Sequence, residues 1–166
     1  MRACSASRLA WLLLMAAAPA SAQSRFDIWT TENGLPQNSV NDIVQTRDGY
    51  LWLATFGGLV RFDGFRFVVF DRSTDGIRGQ RVYSLHEDRT GTLWAGTEDG
   101  LLIRYRAGRF TTFGEEQGLP QARAMTIEES EDGVLWVNFP DVVARFDGER
   151  AVVLGRRDFP HLGSSG

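Results

Sequence analysis

The chain of 166 residues contains no lysine; all 18 basic residues are arginine. It has one cysteine, Cys4, and two histidines, His86 and His161. A single thiol excludes an internal disulfide framework and a cysteine-based metal site, so stability must come from packing. Neither histidine has a second ligand at metal spacing or a Ser or Cys nucleophile beside it, and both read as ordinary surface residues. No metal and no cofactor is expected. Long apolar runs are missing apart from Leu9 to Ala18, ten residues, too few to span a bilayer. Excess positive charge is missing too: the formal net charge is −3, which argues against a nucleic-acid partner. The all-arginine usage reads as codon bias rather than as chemistry.

The first 22 residues have the features of an export signal. Arg2 and Arg8 give a basic start, the apolar run follows, and Ala20-Ser21-Ala22 is a small-x-small cleavage site. Cleavage after Ala22 is expected. It would remove Cys4 and take the formal charge from −3 to −5. Residues 23–166 are then the folded part, and no low-complexity stretch or linker divides them.

What is present is a repeat. Trp52, Trp94 and Trp136 are spaced by 42 residues, within the phrases Asp48-Gly-Tyr-Leu-Trp-Leu, Thr90-Gly-Thr-Leu-Trp-Ala and Asp132-Gly-Val-Leu-Trp-Val. A fixed period in this range marks a repeat architecture. Four short strands are expected in each copy: in the first, Val40–Gln45, Leu51–Thr55, Leu59–Asp63 and Arg66–Phe70. Asp48-Gly49, Gly57-Gly58 and Asp63-Gly64 turn the chain between them. Leu51-Trp52-Leu53-Ala54 has no polar alternation, as expected of a strand covered on both faces.

Four-stranded units of this length are β-propeller blades. The sequence therefore predicts an all-β fold of three four-stranded antiparallel sheets, with blades at about 38–70, 80–113 and 122–154. Residues 155–166 would begin a fourth repeat. Copy two carries one extra residue, expected near Ala107. Residues 26–29 resemble Phe67-Val68-Val69-Phe70 and read as an outer strand without a blade of its own, suited to complete the last blade of a closed ring. Propellers use about 4–8 blades, so three form a partial ring. The chain is expected to be the N-terminal piece of a longer protein, with self-assembly into a ring as the alternative.

The segment His86-Glu-Asp-Arg-Thr-Gly-Thr-Leu-Trp-Ala-Gly-Thr-Glu-Asp-Gly-Leu101 resembles the repeat of two-component regulator propellers. Gly34-Leu-Pro-Gln-Asn-Ser-Val-Asn-Asp-Ile43 is similar to that family's opening. Copy three departs from the pattern at Asn138-Phe-Pro-Asp-Val142. The resemblance implies the extracytoplasmic sensing part of a bacterial membrane receptor at the periplasmic face of the inner membrane. It further implies a receptor dimer, downstream domains with a histidine kinase or diguanylate cyclase output, and a ligand that in some members is a polysaccharide fragment.

Residues that recur in every copy are read as framework: Trp52, Trp94 and Trp136, with Gly49, Gly91 and Gly133. Asp48, Asp88 and Asp132 sit at the glycine turns, Asp48 and Asp132 directly before the glycine and Asp88 three residues before it, and are expected to cap the backbone. Arg61 and Arg145 are in register, with Arg104 displaced by the insertion; repeated arginines cover an edge or pair with acid. No catalytic residue is assigned. Ligand-binding candidates are positions that differ between copies at the loop entering each innermost strand, the channel mouth of a propeller: Asn38, Arg81 and Arg123. Three functions stay open: a sensory ligand-binding module, part of a secreted propeller enzyme acting on carbohydrate, and a passive interaction scaffold.

Overall fold

A computed structural model of the chain describes residues 28–155. The export signal, residues 26–27 of the proposed outer strand, His161 and nearly all of the proposed fourth repeat lie outside the described residues. The described residues form twelve strands in three antiparallel sheets of four. Blade one holds β1 (Val40–Gln45), β2 (Leu51–Thr55), β3 (Gly58–Phe62) and β4 (Phe67–Phe70). Blade two holds β5 (Val82–Glu87), β6 (Leu93–Thr97), β7 (Leu102–Arg106) and β8 (Arg109–Phe113). Blade three holds β9 (Thr126–Glu129), β10 (Leu135–Asn138), β11 (Val142–Phe146) and β12 (Ala151–Gly155). In each sheet the strands neighbour one another in chain order. These are consecutive β-propeller blades: β1 contacts β5 and β5 contacts β9, so the first strands gather on one side.

The blades are held by apolar packing between their faces. Trp52, Ala54 and Leu59 of blade one meet Leu85, Ala95 and Ile103 of blade two. Trp94 and Phe113 of blade two meet Ile127, Leu135 and Phe146 of blade three. A second element recurs at the rim. The Arg47 backbone N–H donates to Glu87, and its guanidinium donates to the Arg89 carbonyl at 2.7 Å. One blade on, the Arg89 N–H donates to Glu129, and its guanidinium reaches the Ser130 and Glu131 carbonyls. The corresponding residue in blade three is Glu131.

Two sequence expectations need correction. The extra residue of copy two is not near Ala107. Ala54 faces Leu59 across the β2–β3 hairpin, whereas Gly96 faces Leu102 across β6–β7. The insertion therefore lies in the turn Glu98-Asp99-Gly100. Ala107-Gly108 is a two-residue hairpin turn with both φ values positive, +49° and +79°, as such turns require. As a consequence Arg104 is not displaced: Arg61, Arg104 and Arg145 stand opposite Trp52, Trp94 and Trp136 respectively.

Residues 28–30 carry no strand assignment. Trp29 nevertheless packs on blade one in a distinct way. Its ring lies 5.0 Å from Phe62 and 5.4 Å from Phe67. Phe70 stands in the same relation to blade two, facing the equivalent residues Tyr105 at 6.5 Å and Phe110 at 4.9 Å.

Candidate ligand-binding face

The loops entering the first strands and the turns between second and third strands meet at one end of the blades. Between blades one and two they enclose an open cleft of about 510 Å³ lined by Gln37, Phe56, Arg72, Gln80, Arg81, Glu98 and Asp99. Arg81 is fixed there at three points. Its Nη1 donates to Glu98 Oε2 at 3.0 Å, its carbonyl accepts the Glu98 N–H at 2.9 Å, and its guanidinium lies 5.4 Å from the centre of the Phe56 ring. Phe56 in turn meets Tyr83, ring centres 5.3 Å apart. The Arg123 guanidinium lies 4.9 Å from the centre of the Tyr83 ring. The result is a continuous row, Arg81–Phe56–Tyr83–Arg123, running from the cleft toward blade three.

Of the residues singled out in the sequence, the structure brings Arg81 and Arg123 to one row. Asn38 is engaged otherwise: its Oδ1 accepts the Thr31 backbone N–H at 2.9 Å, fixing the short 3-10 turn Thr31–Asn33. Phe56, Tyr83 and Glu98 were not singled out. A usable signal existed for Phe56 and Glu98. They hold the same place in the β2–β3 and β6–β7 turns, where copy three has Pro140, so that position also differs between copies.

The guanidiniums on this face carry weak counter-ions. Arg81–Glu98 is solvent-exposed, and Arg72–Asp99 is exposed and 3.9 Å long. Exposed pairs of this kind contribute roughly 0–1 kcal/mol, so an arriving ligand can exchange them at small cost. An arginine lying over an aromatic ring keeps its planar fork of N–H groups directed outward, where it can donate to two oxygens of one anion.

The framework residues sit elsewhere. Trp52 and Trp94 are buried between blades, and Trp136 is half-buried. Gly49, Gly91 and Gly133 have φ of +90°, +80° and +84° in the first hairpin turn of each blade, so they serve the turn. Asp48, Asp88 and Asp132 are not one repeated position. Thr46 Oγ1 donates to Asp48 at 2.5 Å and Ser130 Oγ to Asp132 at 2.5 Å, but in blade two Thr90 Oγ1 donates back to Asp88 at 2.7 Å. Acid and hydroxyl have changed places. Asp88 also accepts the Trp94 indole N–H at 2.8 Å, a role Ser130 fills for Trp136 at 3.2 Å. Burial pushes the Asp88 carboxyl up, but hydrogen bonds from Thr90, Trp94 and Thr92 outweigh it and hold the group below its ordinary value.

His86 departs from expectation. It stands opposite Trp94 on β5, half-buried, at the place of Val44 in blade one. Its Nε2 is buried and has no hydrogen-bond partner among the described residues. It is therefore not an ordinary surface residue but part of the junction between blades two and three.

The model of the two component regulator propeller family matches residues 34–57 and 76–99, which are the entry loop and first hairpin of blades one and two. Among solved structures, the extracellular domain of a hybrid two component system from B. thetaiotaomicron superimposes with a TM-score of 0.71 at 20% identity, covering 81% of this chain and 19% of that one. A second such domain from the same organism gives 0.63 at 22% identity, covering 76% and 18%. A virginiamycin B lyase from Staphylococcus aureus gives 0.58 at 16% identity, covering 73% and 43%. The chain thus spans about a fifth of the length of the two-component domains it matches. At these identities the likeness concerns the fold. No curated protein matches the chain.

Proposed function

Because the chain carries two-component regulator propeller repeats, we propose that it is the ligand-binding propeller segment of an extracytoplasmic signal receptor, and that it binds its ligand without converting it. The observation that carries this reading is the row Arg81–Phe56–Tyr83–Arg123 beside the cleft between blades one and two. It lies where the copies differ, while the residues that recur are consumed in turns and junctions. The basic start, apolar run and Ala-Ser-Ala site support export of this segment to the periplasmic side. The similarity to extracellular domains of hybrid two component systems supports downstream domains that carry the signal inward, with further blades, receptor dimerisation and a histidine kinase or diguanylate cyclase output as parts of the same proposal.

The test is the double variant Arg81→Ser/Arg123→Ser, which installs the residue found in copy one at Ser39. In the full-length receptor it should weaken ligand-dependent signalling while the protein remains folded. Unchanged signalling moves the site elsewhere. Hydrolysis or elimination of a ligand by the purified segment replaces this reading with an enzyme.

A further inference from the structure

A groove opens at the other end of the blades, between blades two and three, where the turns after β5, β7 and β11 meet. It measures about 320 Å³ and is lined in part by Thr90, Thr92, Arg104, Arg106, Asp147 and Glu149. The corresponding groove between blades one and two is smaller, about 210 Å³. The arginine of that junction is engaged: the Arg61 guanidinium lies 4.5 Å from the centre of the Tyr50 ring and donates to the Tyr105 hydroxyl at 3.5 Å. One blade on, Thr92 stands in the place of Tyr50 and Phe146 in the place of Tyr105, so the covering ring and the hydroxyl are both gone. Arg104 keeps only ring contacts, 5.1 Å from the centre of Phe113 and 6.0 Å from that of Trp94. Neither Arg104 nor Arg106 has a side-chain hydrogen bond or an ion pair among the described residues.

The carboxylates of the groove differ in how far they are used. Asp88 is taken by Thr90, Thr92 and Trp94. Asp147 spends Oδ1 on the Glu149 and Arg150 N–H groups of its own turn and is drawn on by Arg145. The Glu149 carboxylate has no hydrogen-bond or ion-pair partner among the described residues. Unpaired charges of both signs thus line one groove without meeting, Arg104 on blade two and Glu149 on blade three. From this we infer that the groove is a second binding site, for a small zwitterion such as an amino acid, with its carboxylate on Arg104 and its ammonium on Glu149. The arginine fork donates two parallel N–H bonds to a carboxylate. Arg104 is half-buried over its rings, where a charge-assisted bond counts for more than in open water. A simple anion would be repelled by Glu149, and a simple cation by Arg104 and Arg106; a molecule carrying both charges meets its complement on each side. The volume, at the low end for small-molecule sites, suits a single amino acid or a dipeptide rather than a polymer. The site does not rest on the ligand-binding reading of the Arg81 face, and the two stand or fall separately.

The probes are L-alanine and glycylglycine, two spans of the same pair of head groups. Propionate and ethylamine are the controls that each keep one charge. All four are titrated into the full-length protein by calorimetry. At least one zwitterion should bind, and both controls should bind about tenfold more weakly or not at all. Phe146→Tyr gives Arg104 the hydroxyl that Tyr105 gives Arg61, and should weaken zwitterion binding about fivefold to tenfold. Glu149→Gln should weaken it by about the same factor without weakening propionate. Glu149 is exposed, so this variant keeps the fold even if Phe146→Tyr disturbs the junction, and thermal melts check both. Arg81→Ser/Arg123→Ser should leave zwitterion binding as it is, which separates this site from the face at the other end. Failure of both zwitterions to bind overturns the inference, as does binding that either Phe146→Tyr or Glu149→Gln leaves unchanged. Propionate or ethylamine binding as tightly as the zwitterions overturns it too, since one charge would then suffice.

Discussion

Trp94 and Trp136 stand in the same phrase of successive repeats, opposite the equivalent arginines Arg104 and Arg145, yet they live in different surroundings. Trp94 is 4% exposed, wedged against Phe113 and Phe146. Trp136 is half-buried. The same contrast runs through the first strands, where Leu85 and Ile127 are 6% and 5% exposed and Ile43, their counterpart, is 56% exposed. Every residue of β6 is buried; β10 alternates. In a blade array a residue's energetic weight is set by which neighbour covers it, and the repeat supplies only the opportunity.

The comparison can be broken first at the tryptophans. In the 166-residue segment on its own, Trp94→Ala should cost about 3–5 kcal/mol, and Trp136→Ala about half of that or less, in denaturant titrations. Equal costs would mean that burial does not govern. At the first strands, Leu85→Ala should cost about 2–4 kcal/mol and Ile43→Ala under about 1 kcal/mol. The rim sharpens the contrast further. Arg89→Ala removes the guanidinium's ion pair with Glu129 and its bonds to the Ser130 and Glu131 carbonyls while the backbone N–H bond to Glu129 stays, and should cost about 1–2 kcal/mol, whereas Glu131→Ala, at the same place in blade three, should be near neutral by the same measurement.

A smaller effect should follow pH. Because the Asp88 carboxyl is held below its ordinary value of 3.8, its contribution is present above that value and is lost as pH falls through the lower folded-state value. Melting temperature should therefore drop more steeply below about pH 4 in the parent than in Asp88→Asn, which has no such carboxylate to protonate. Smallest of all, Arg81→Ser/Arg123→Ser should change stability by no more than about 0.5 kcal/mol, because both side chains are exposed. A larger loss would assign the row to the framework.

The strands were legible in the sequence because turns and apolar runs alternate so regularly. β1 and β2 begin and end as expected, and β3 and β4 differ by one residue at their limits. The insertion was misplaced for a physical reason. An extra residue anywhere between Thr97 and Phe110 produces the same offset, and only the pairing of Trp94 with Arg104 fixes it to the turn after β6. Arg81 and Arg123 were legible as breaks in the repeat. Their aromatic partners were not, since Phe56 and Tyr83 come from different blades and meet only across the junction. His86 was missed because a lone histidine in a strand gives no sign of the face it turns to.

The exchange of acid and hydroxyl in the first hairpin turns has a historical consequence. Thr46 with Asp48, Asp88 with Thr90, and Ser130 with Asp132 keep one hydrogen bond while its two ends trade identities. Read column by column, both positions look permissive; read as a pair, they admit one acid and one hydroxyl in either order. No single substitution converts one order into the other. A lineage must pass through two acids, which repel, or two hydroxyls, which still bond. The open road is the second, so duplicated blades can drift apart in spelling while the turn they spell stays the same.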